Sequence, residues 1–207
     1  RMGELLSEAG LPDGVFNVVN GGQEAVEALC DHSGIEAVGF VGSTKVAKIV
    51  YKRATSNLKR CVALGGAKNH LIVLPDAHPE MTASNVAASM SGCAGQRCMA
   101  AAAMVGVGQI DHIIEKVCEE SRKIVAGDNL GSVISAAAKE RIEKYITDAE
   151  AAGAKILVDG RNTTVVGKEG GYYVGSTVID HVTTDMAIAK EEVFGPVISI
   201  IRAKDLD

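Results

Sequence analysis

The sequence predicts an α/β protein whose strands run mainly parallel. Short Val- and Ile-rich runs alternate with helix-period segments from the start of the chain. Glycine pairs and a Gly-Ser-Thr turn mark the switches between the two periods. The first three strand–helix alternations imply parallel pairing, because parallel neighbours need a crossover helix.

The elements follow in order. A helical pattern is already running by Glu4-Leu5-Leu6, and Val15-Phe16-Asn17-Val18-Val19 is expected as the first strand. The turn Asn20-Gly21-Gly22 then leads into a helix through Cys30. Ile35 to Val41 forms a second strand, and Gly42-Ser43-Thr44 opens a helix over Lys45 to Ala54. Arg60 to Leu64 is a third strand, ended by Gly65-Gly66, and Asn69 to Leu74 a fourth. The glycine pair is the expected boundary between two units, 1–65 and 66–207. After Asp76 a helix is expected through Met90, then a turn over Ser91 to Cys98 and a buried strand over Ala101 to Val107. Asp111 to Ala126 is amphipathic, with Ile113, Ile114, Val117 and Ile124 on one face. Ser135 caps a helix over Ala136 to Ala152 with Ile142, Tyr145 and Ile146 in its apolar stripe. Strands around Ile156 to Val158, Tyr172 to Val174, Thr177 to Ile179 and Val197 to Ile201 complete the second unit.

Composition narrows the function. A net charge of −5, with lysines and arginines scattered among acids, excludes a nucleic-acid binder, which needs concentrated positive charge. The longest nearly apolar run, Met99 to Gly108, is about half what a membrane-spanning helix requires. The five cysteines form neither a metal cluster nor an even disulfide framework, so no metal is expected. A reducing compartment follows, cytoplasmic, or the mitochondrial matrix in a eukaryote. Arg1 stands where an initiator methionine would, and both ends are expected to be cut from a longer chain.

The chemistry centres on Gly95-Gln96-Arg97-Cys98. A thiol beside a fixed positive charge can be held as thiolate, the nucleophilic form, and the glycine allows a tight turn to deliver it. The other cysteines read as core residues, with Cys93 the closest competitor. Gly42-Ser43-Thr44 lies between strand and helix, where free N–H groups attract anions; Ser43 is equally an ordinary N-cap, and the two roles coexist. By itself, Glu192 reads as a surface acid clustered with Lys190 and Glu191.

Four segments, in order, resemble the aldehyde dehydrogenase superfamily: Pro12 to Gly21, Phe40-Val41-Gly42-Ser43-Thr44, Gly95-Gln96-Arg97-Cys98, and Lys190-Glu191-Glu192-Val193-Phe194-Gly195-Pro196. The likeness covers essentially the whole chain, which would be less than half of a complete member. Gly66-Ala67-Lys68-Asn69-His70, Pro75-Asp76-Ala77 and Gln96-Arg97-Cys98-Met99-Ala100 are most similar to its coenzyme-A-acylating, methylmalonate-semialdehyde branch.

The resemblance implies a partial Rossmann-type NAD domain followed by an incomplete catalytic α/β domain. It implies NAD-dependent oxidation of a carboxylated semialdehyde, with coenzyme A as co-substrate and a homo-oligomer at full length. Cys98 would attack the aldehyde, giving a thiohemiacetal that loses hydride to nicotinamide and leaves a thioester. Arg97 would lower the thiol pKa or hold the substrate carboxylate, with a structural ion pair as the third reading. Gly21, Gly42 and Ser43 would line the cofactor, Ser43 at its pyrophosphate. Glu192 would take the nicotinamide ribose hydroxyls, with Phe194 packed near the nicotinamide ring. The water-activating glutamate of hydrolytic members is replaced by Leu64 or Ala63, depending on alignment, and neither can act as a base. The oxyanion asparagine and the first sheet strands would lie before Arg1, and the oligomerisation arm after Asp207. A non-acylating dehydrogenase, and an inactive fragment serving as a binding or assembly module, are the competing readings.

Overall fold

In the computed structural model, which describes residues 1–207, the chain divides just after its glycine pair, one residue beyond the expected boundary, into two units, Arg1–Gly66 and Ala67–Asp207. The first holds α1 (Met2–Glu8), α2 (Gln23–Asp31), β1 (Ala37–Val41), α3 (Thr44–Ser56) and β2 (Arg60–Leu64). Strands β1 and β2 pair in parallel from Ala37 opposite Arg60 to Val41 opposite Leu64, with α3 as the crossover. Cys30, Val50 and Ala54 form its small core, and Val26, Val38, Phe40 and Cys61 pack on it. Arg53 of α3 ties α2 down through Glu27 and Asp31, at 2.7 and 2.6 Å.

The expected strand at Val15 to Val19 does not form. Val15, Phe16, Val18 and Val19 are all exposed, and no strand of the chain pairs with them. Strand-like composition sets a preference, but a strand exists only through its neighbour's hydrogen bonds.

The second unit contains β3 (His70–Val73), α4 (Pro79–Ser91), β4 (Ala103–Val107), α5 (Asp111–Arg122), α6 (Ala136–Ala151), β5 (Lys155–Val158), β6 (Thr177–Asp180), α7 (Ala187–Lys190) and β7 (Val197–Ala203). Its sheet runs β3-β4-β7-β6-β5, parallel except where β5 meets β6. Alternate side chains serve opposite faces, as the two-residue period of a strand requires. Val178, Ile198 and Ile200 pack with Met90, Ile113 and Val117 of α4 and α5. On the other side Ile179 and Val197 pack with Ile142 and Ile146 of α6 and Ile188 of α7. Ser135 caps α6 as expected, its hydroxyl accepting the Ala138 N–H at 3.2 Å.

Two further expectations need correction, and one short helix adds to the expected elements. Tyr172 to Val174 is no strand but a single bridge, in which Val133 N–H meets the Tyr172 carbonyl at 2.7 Å. Beyond it Gly175 turns onto Gly160, its N–H bonding the Gly160 carbonyl. Helix α5 stops at Arg122 rather than Ala126. Asn129 takes over there, accepting from Val125 N–H at 2.6 Å and donating to the Lys123 carbonyl at 3.1 Å, bonds that compete with the helix ladder. Helix α7 has four residues, too few to show a period in the sequence. No helix of the chain is long and apolar enough to cross a membrane.

Candidate active site

In the second unit the motif-bearing segments converge because each precedes one of three adjacent parallel strands. Lys68-Asn69 leads into β3, Cys98 to Ala102 into β4, and Glu192 to Pro196 into β7. The sheet therefore delivers all three to the amino-terminal ends of its strands. Ala102 and Ala103 N–H groups bond the Asn69 carbonyl at 3.1 and 3.0 Å, and Ser199 N–H bonds the Ala102 carbonyl at 3.2 Å.

The turn that carries Cys98 starts where α4 ends. Cys93, Ala94 and Gly95 follow one another in the left-handed region, with φ of 52°, 53° and 70°. Each non-glycine residue there costs about 1–2 kcal/mol. Burial of the Ala94 methyl in the cluster that holds Ile142 and Val193 opposes that cost. Gly95 is required by contact as well as by φ: a Cβ there would lie 2.0 Å from the Gly195 carbonyl oxygen. Gln96 secures the far side, its Oε1 accepting from Ile134 N–H at 2.9 Å and its Nε2 donating to the Cys93 carbonyl at 3.1 Å. Cys98 then emerges exposed, in a turn closed by Ala100 N–H to the Arg97 carbonyl at 3.1 Å. The Asn69 amide donates to the Cys98 and Ala100 carbonyls at 2.6 and 3.0 Å.

Arg97 reaches back over Gly92 to the end of α4. Its Nη2 donates to the Ser89 and Ala88 carbonyls at 3.0 and 3.4 Å, where a cation suits the negative end of the helix. These partners are carbonyls, so they leave the guanidinium charge unneutralised. Gly92 makes room for it, since a Cβ there would lie 2.2 Å from Nη2.

The Glu192–Pro196 segment is held by its neighbours. The Tyr145 hydroxyl of α6 donates to the Glu191 carboxylate, and burial together with that bond pushes the phenol up to about 12. Lys68 Nζ donates to the Glu191 carbonyl at 3.1 Å. Burial lowers the Lys68 ammonium to about 8, against the opposing pull of the Glu192 carboxylate. Val193 is buried, while Phe194, left-handed at φ 53°, turns outward and is 37% exposed. Residue type alone does not mark Lys68 and Asn69, and Tyr145 reads in the sequence as part of the α6 apolar stripe, a structural place its bond to Glu191 is consistent with. The only signal for the first two was their place in the Gly66-to-His70 motif.

In the first unit, Ser43 is the N-cap of α3, its Oγ accepting from Val46 N–H at 3.4 Å. Gly42 admits the Phe40 ring, which a Cβ would approach to 2.6 Å, and a Cβ on Gly21 would lie 2.5 Å from the Ala25 methyl. Between α2 and α3 opens a cleft of about 320 Å³ lined by Gln23, Val26, Val46, Ile49, Val50 and Arg53. Its mostly apolar walls and the helix N-terminus beside Ser43 are chemically suited to a flat heterocycle and an anionic linker.

Comparison with known proteins bears on both units. The aldehyde dehydrogenase family model matches residues 1–207. Malonate-semialdehyde dehydrogenase 2 of Bacillus thuringiensis (strain Al Hakam) is 47% identical over all of this chain and 44% of its own length. A crystal structure of methylmalonate-semialdehyde dehydrogenase from Oceanimonas doudoroffii superimposes with a TM-score of 0.91 at 45% identity, over 98% of this chain and 43% of that one. A crystal structure assigned as methylmalonate-semialdehyde dehydrogenase from Sinorhizobium meliloti 1021, complexed with NAD, gives 0.92 at 42% identity, over 99% and 43%. The chain thus spans less than half the length of the relatives it matches.

Proposed function

The chain belongs to the aldehyde dehydrogenase family, and from that premise we propose that the whole protein oxidises a carboxylated semialdehyde of the malonate or methylmalonate type and passes the acyl group through Cys98 to coenzyme A. The observation that carries the proposal is the exposed Cys98 turn packed against the Glu192–Pro196 turn through Gly95 and Gly195.

Residues of the first unit fit NAD. The adenine would enter the cleft between α2 and α3, and the pyrophosphate would meet the α3 N-terminus at Gly42 and Ser43. Gly21 lets the chain begin α2 beside that cleft. In the second unit Glu192 would accept the nicotinamide ribose hydroxyls, its neighbour Glu191 being occupied by Tyr145 and Lys68. Phe194 would pack near the nicotinamide. NAD, when bound, supplies the hydride acceptor.

The chain's own residues do the rest. Cys98 Sγ gives up its proton to solvent and bonds the aldehyde carbon, whose C=O π bond opens to leave the oxyanion of a thiohemiacetal. The Cys98 backbone N–H is one donor available to that oxyanion. Loss of hydride from the same carbon leaves the acyl group as a thioester on Cys98. The coenzyme A sulfur then attacks the carbonyl, and Cys98 leaves as thiolate. Leu64 or Ala63 at the water-activating position supports transfer to a thiol over hydrolysis. Arg97, whose charge meets only carbonyls, would pair with the substrate carboxylate.

The test is product analysis with the full-length protein, semialdehyde and NAD, with and without coenzyme A. Acyl-coenzyme A formed in a coenzyme-A-dependent reaction supports the proposal. Free acid formed at the same rate without coenzyme A favours the non-acylating reading and sinks this one.

A further inference from the structure

We propose that Asn69 is a positioning residue for Cys98: its amide grips the Cys98 and Ala100 carbonyls and fixes the backbone from which the thiol projects. The inference rests on the proposed role of Cys98 as nucleophile. Asn69 has two amide hydrogens, and the two carbonyls lie at 2.6 and 3.0 Å from Nδ2. Both partners are acceptors, so the amide must present its NH₂ group to them and its orientation is settled by chemistry.

Asn69 is itself immobilised. Its carbonyl accepts from Ala102 and Ala103 N–H at 3.1 and 3.0 Å, and the chain enters β3 immediately after it. The grip therefore transmits the register of the β3–β4 pair directly to residues 98–100. The turn needs such a tie because Cys98 and Met99 are exposed, and the Arg97 side chain reaches away to α4 through Nη2. Lys68, the preceding residue, holds the Glu191 carbonyl at 3.1 Å, so one dipeptide touches both motif-bearing turns.

The site's exposure separates positioning from stability. Water can replace Asn69 at the exposed Cys98 carbonyl, so the cost of its loss to the fold is confined to the part-buried Ala100 bond. Water cannot replace fixed geometry, and small displacements of a reacting group cost rate.

The test compares full-length wild type, Asn69→Ala and Asn69→Asp, with Cys98→Ala as control. The aspartate keeps the shape but turns a donor into an acceptor facing two carbonyls. Each protein is assayed for kcat, for KM of aldehyde and NAD, and for the pH profile of Cys98 alkylation by iodoacetamide. Asn69→Ala is expected to lower kcat about 10- to 100-fold, with both KM values within about threefold. Asn69→Asp is expected to be at least as slow, and both to displace the alkylation profile. A kcat within about twofold of wild type and a superimposable profile would overturn the proposal. Misfolding of both variants would overturn it too, by making Asn69 a structural residue. Turnover retained in Cys98→Ala is a different result, removing the nucleophile reading itself.

Discussion

Gly95 and Gly195, a hundred positions apart, meet backbone to backbone: a Cβ on Gly95 would lie 2.0 Å from the Gly195 carbonyl oxygen and 2.7 Å from Pro196 N. This contact joins the turn that carries Cys98 to the turn that carries Glu192. Gly95→Ala meets backbone that cannot yield, at a φ of 70° that disfavours any side chain. It is expected to destabilise the protein by about 3 kcal/mol and to abolish activity, read by urea unfolding and NADH formation. The nearest atoms to a Cβ on Gly195 belong to the Ile142 side chain, at 2.7–2.9 Å, which can shift, so Gly195→Ala is expected to cost less. Equal costs would contradict the backbone contact.

Arg97 yields a prediction about substrate choice. Arg97→Ala is expected to lower kcat/KM for a carboxylated semialdehyde roughly 10- to 100-fold and to leave an uncharged aldehyde of similar length nearly unaffected. Gly92→Ala should produce a weaker version of the same pattern, because its Cβ would displace the guanidinium. Equal losses on both aldehydes would show that Arg97 supports the turn rather than the substrate.

The cysteines differ in access. Cys30 and Cys118 are buried, and burial pushes both thiols up. Cys93 and Cys98 are exposed and Cys61 is intermediate. Iodoacetamide at neutral pH is expected to label Cys98 first, Cys93 next, and Cys30 and Cys118 only on unfolding. Peptide mass spectrometry reads the order, and uniform labelling of all five would contradict it.

Lys68 gives a pH signature. The folded chain releases its proton near 8, the unfolded chain near the ordinary value of 10.5. Between those values the unfolded state binds more protons, so this residue makes stability rise with pH. Lys68→Met removes the charge that burial penalises below pH 8. The difference in unfolding free energy between variant and wild type should therefore shift in the wild type's favour from pH 7.5 to pH 10. A difference independent of pH would show that Lys68 is not held at a lowered pKa.

Much of this was legible in the sequence, for identifiable reasons. Arg60–Leu64 was read to its ends because a glycine pair stops it, and α6 because Ser135 caps it. The α/β class and the family followed from periodicity and four motifs in order. Val15 to Val19 misled because composition does not reveal whether a strand has a neighbour to pair with. Asn69 stayed hidden because its partners are carbonyls of residues 98 and 100, and main-chain acceptors leave no mark on the sequence. Arg97 stands out in the sequence by its place beside Cys98, yet its contact with the end of α4 depends on the fold of the turn between them.

The most direct test of the account is to trap the acyl-enzyme. Full-length protein is mixed with semialdehyde and NAD without coenzyme A, quenched in acid, digested and examined by mass spectrometry. The account predicts an acyl adduct on the Cys98 peptide that disappears, with matching acyl-coenzyme A, when coenzyme A is added before the quench. NADH formed with Cys98 unmodified, or an adduct on another cysteine, would contradict it.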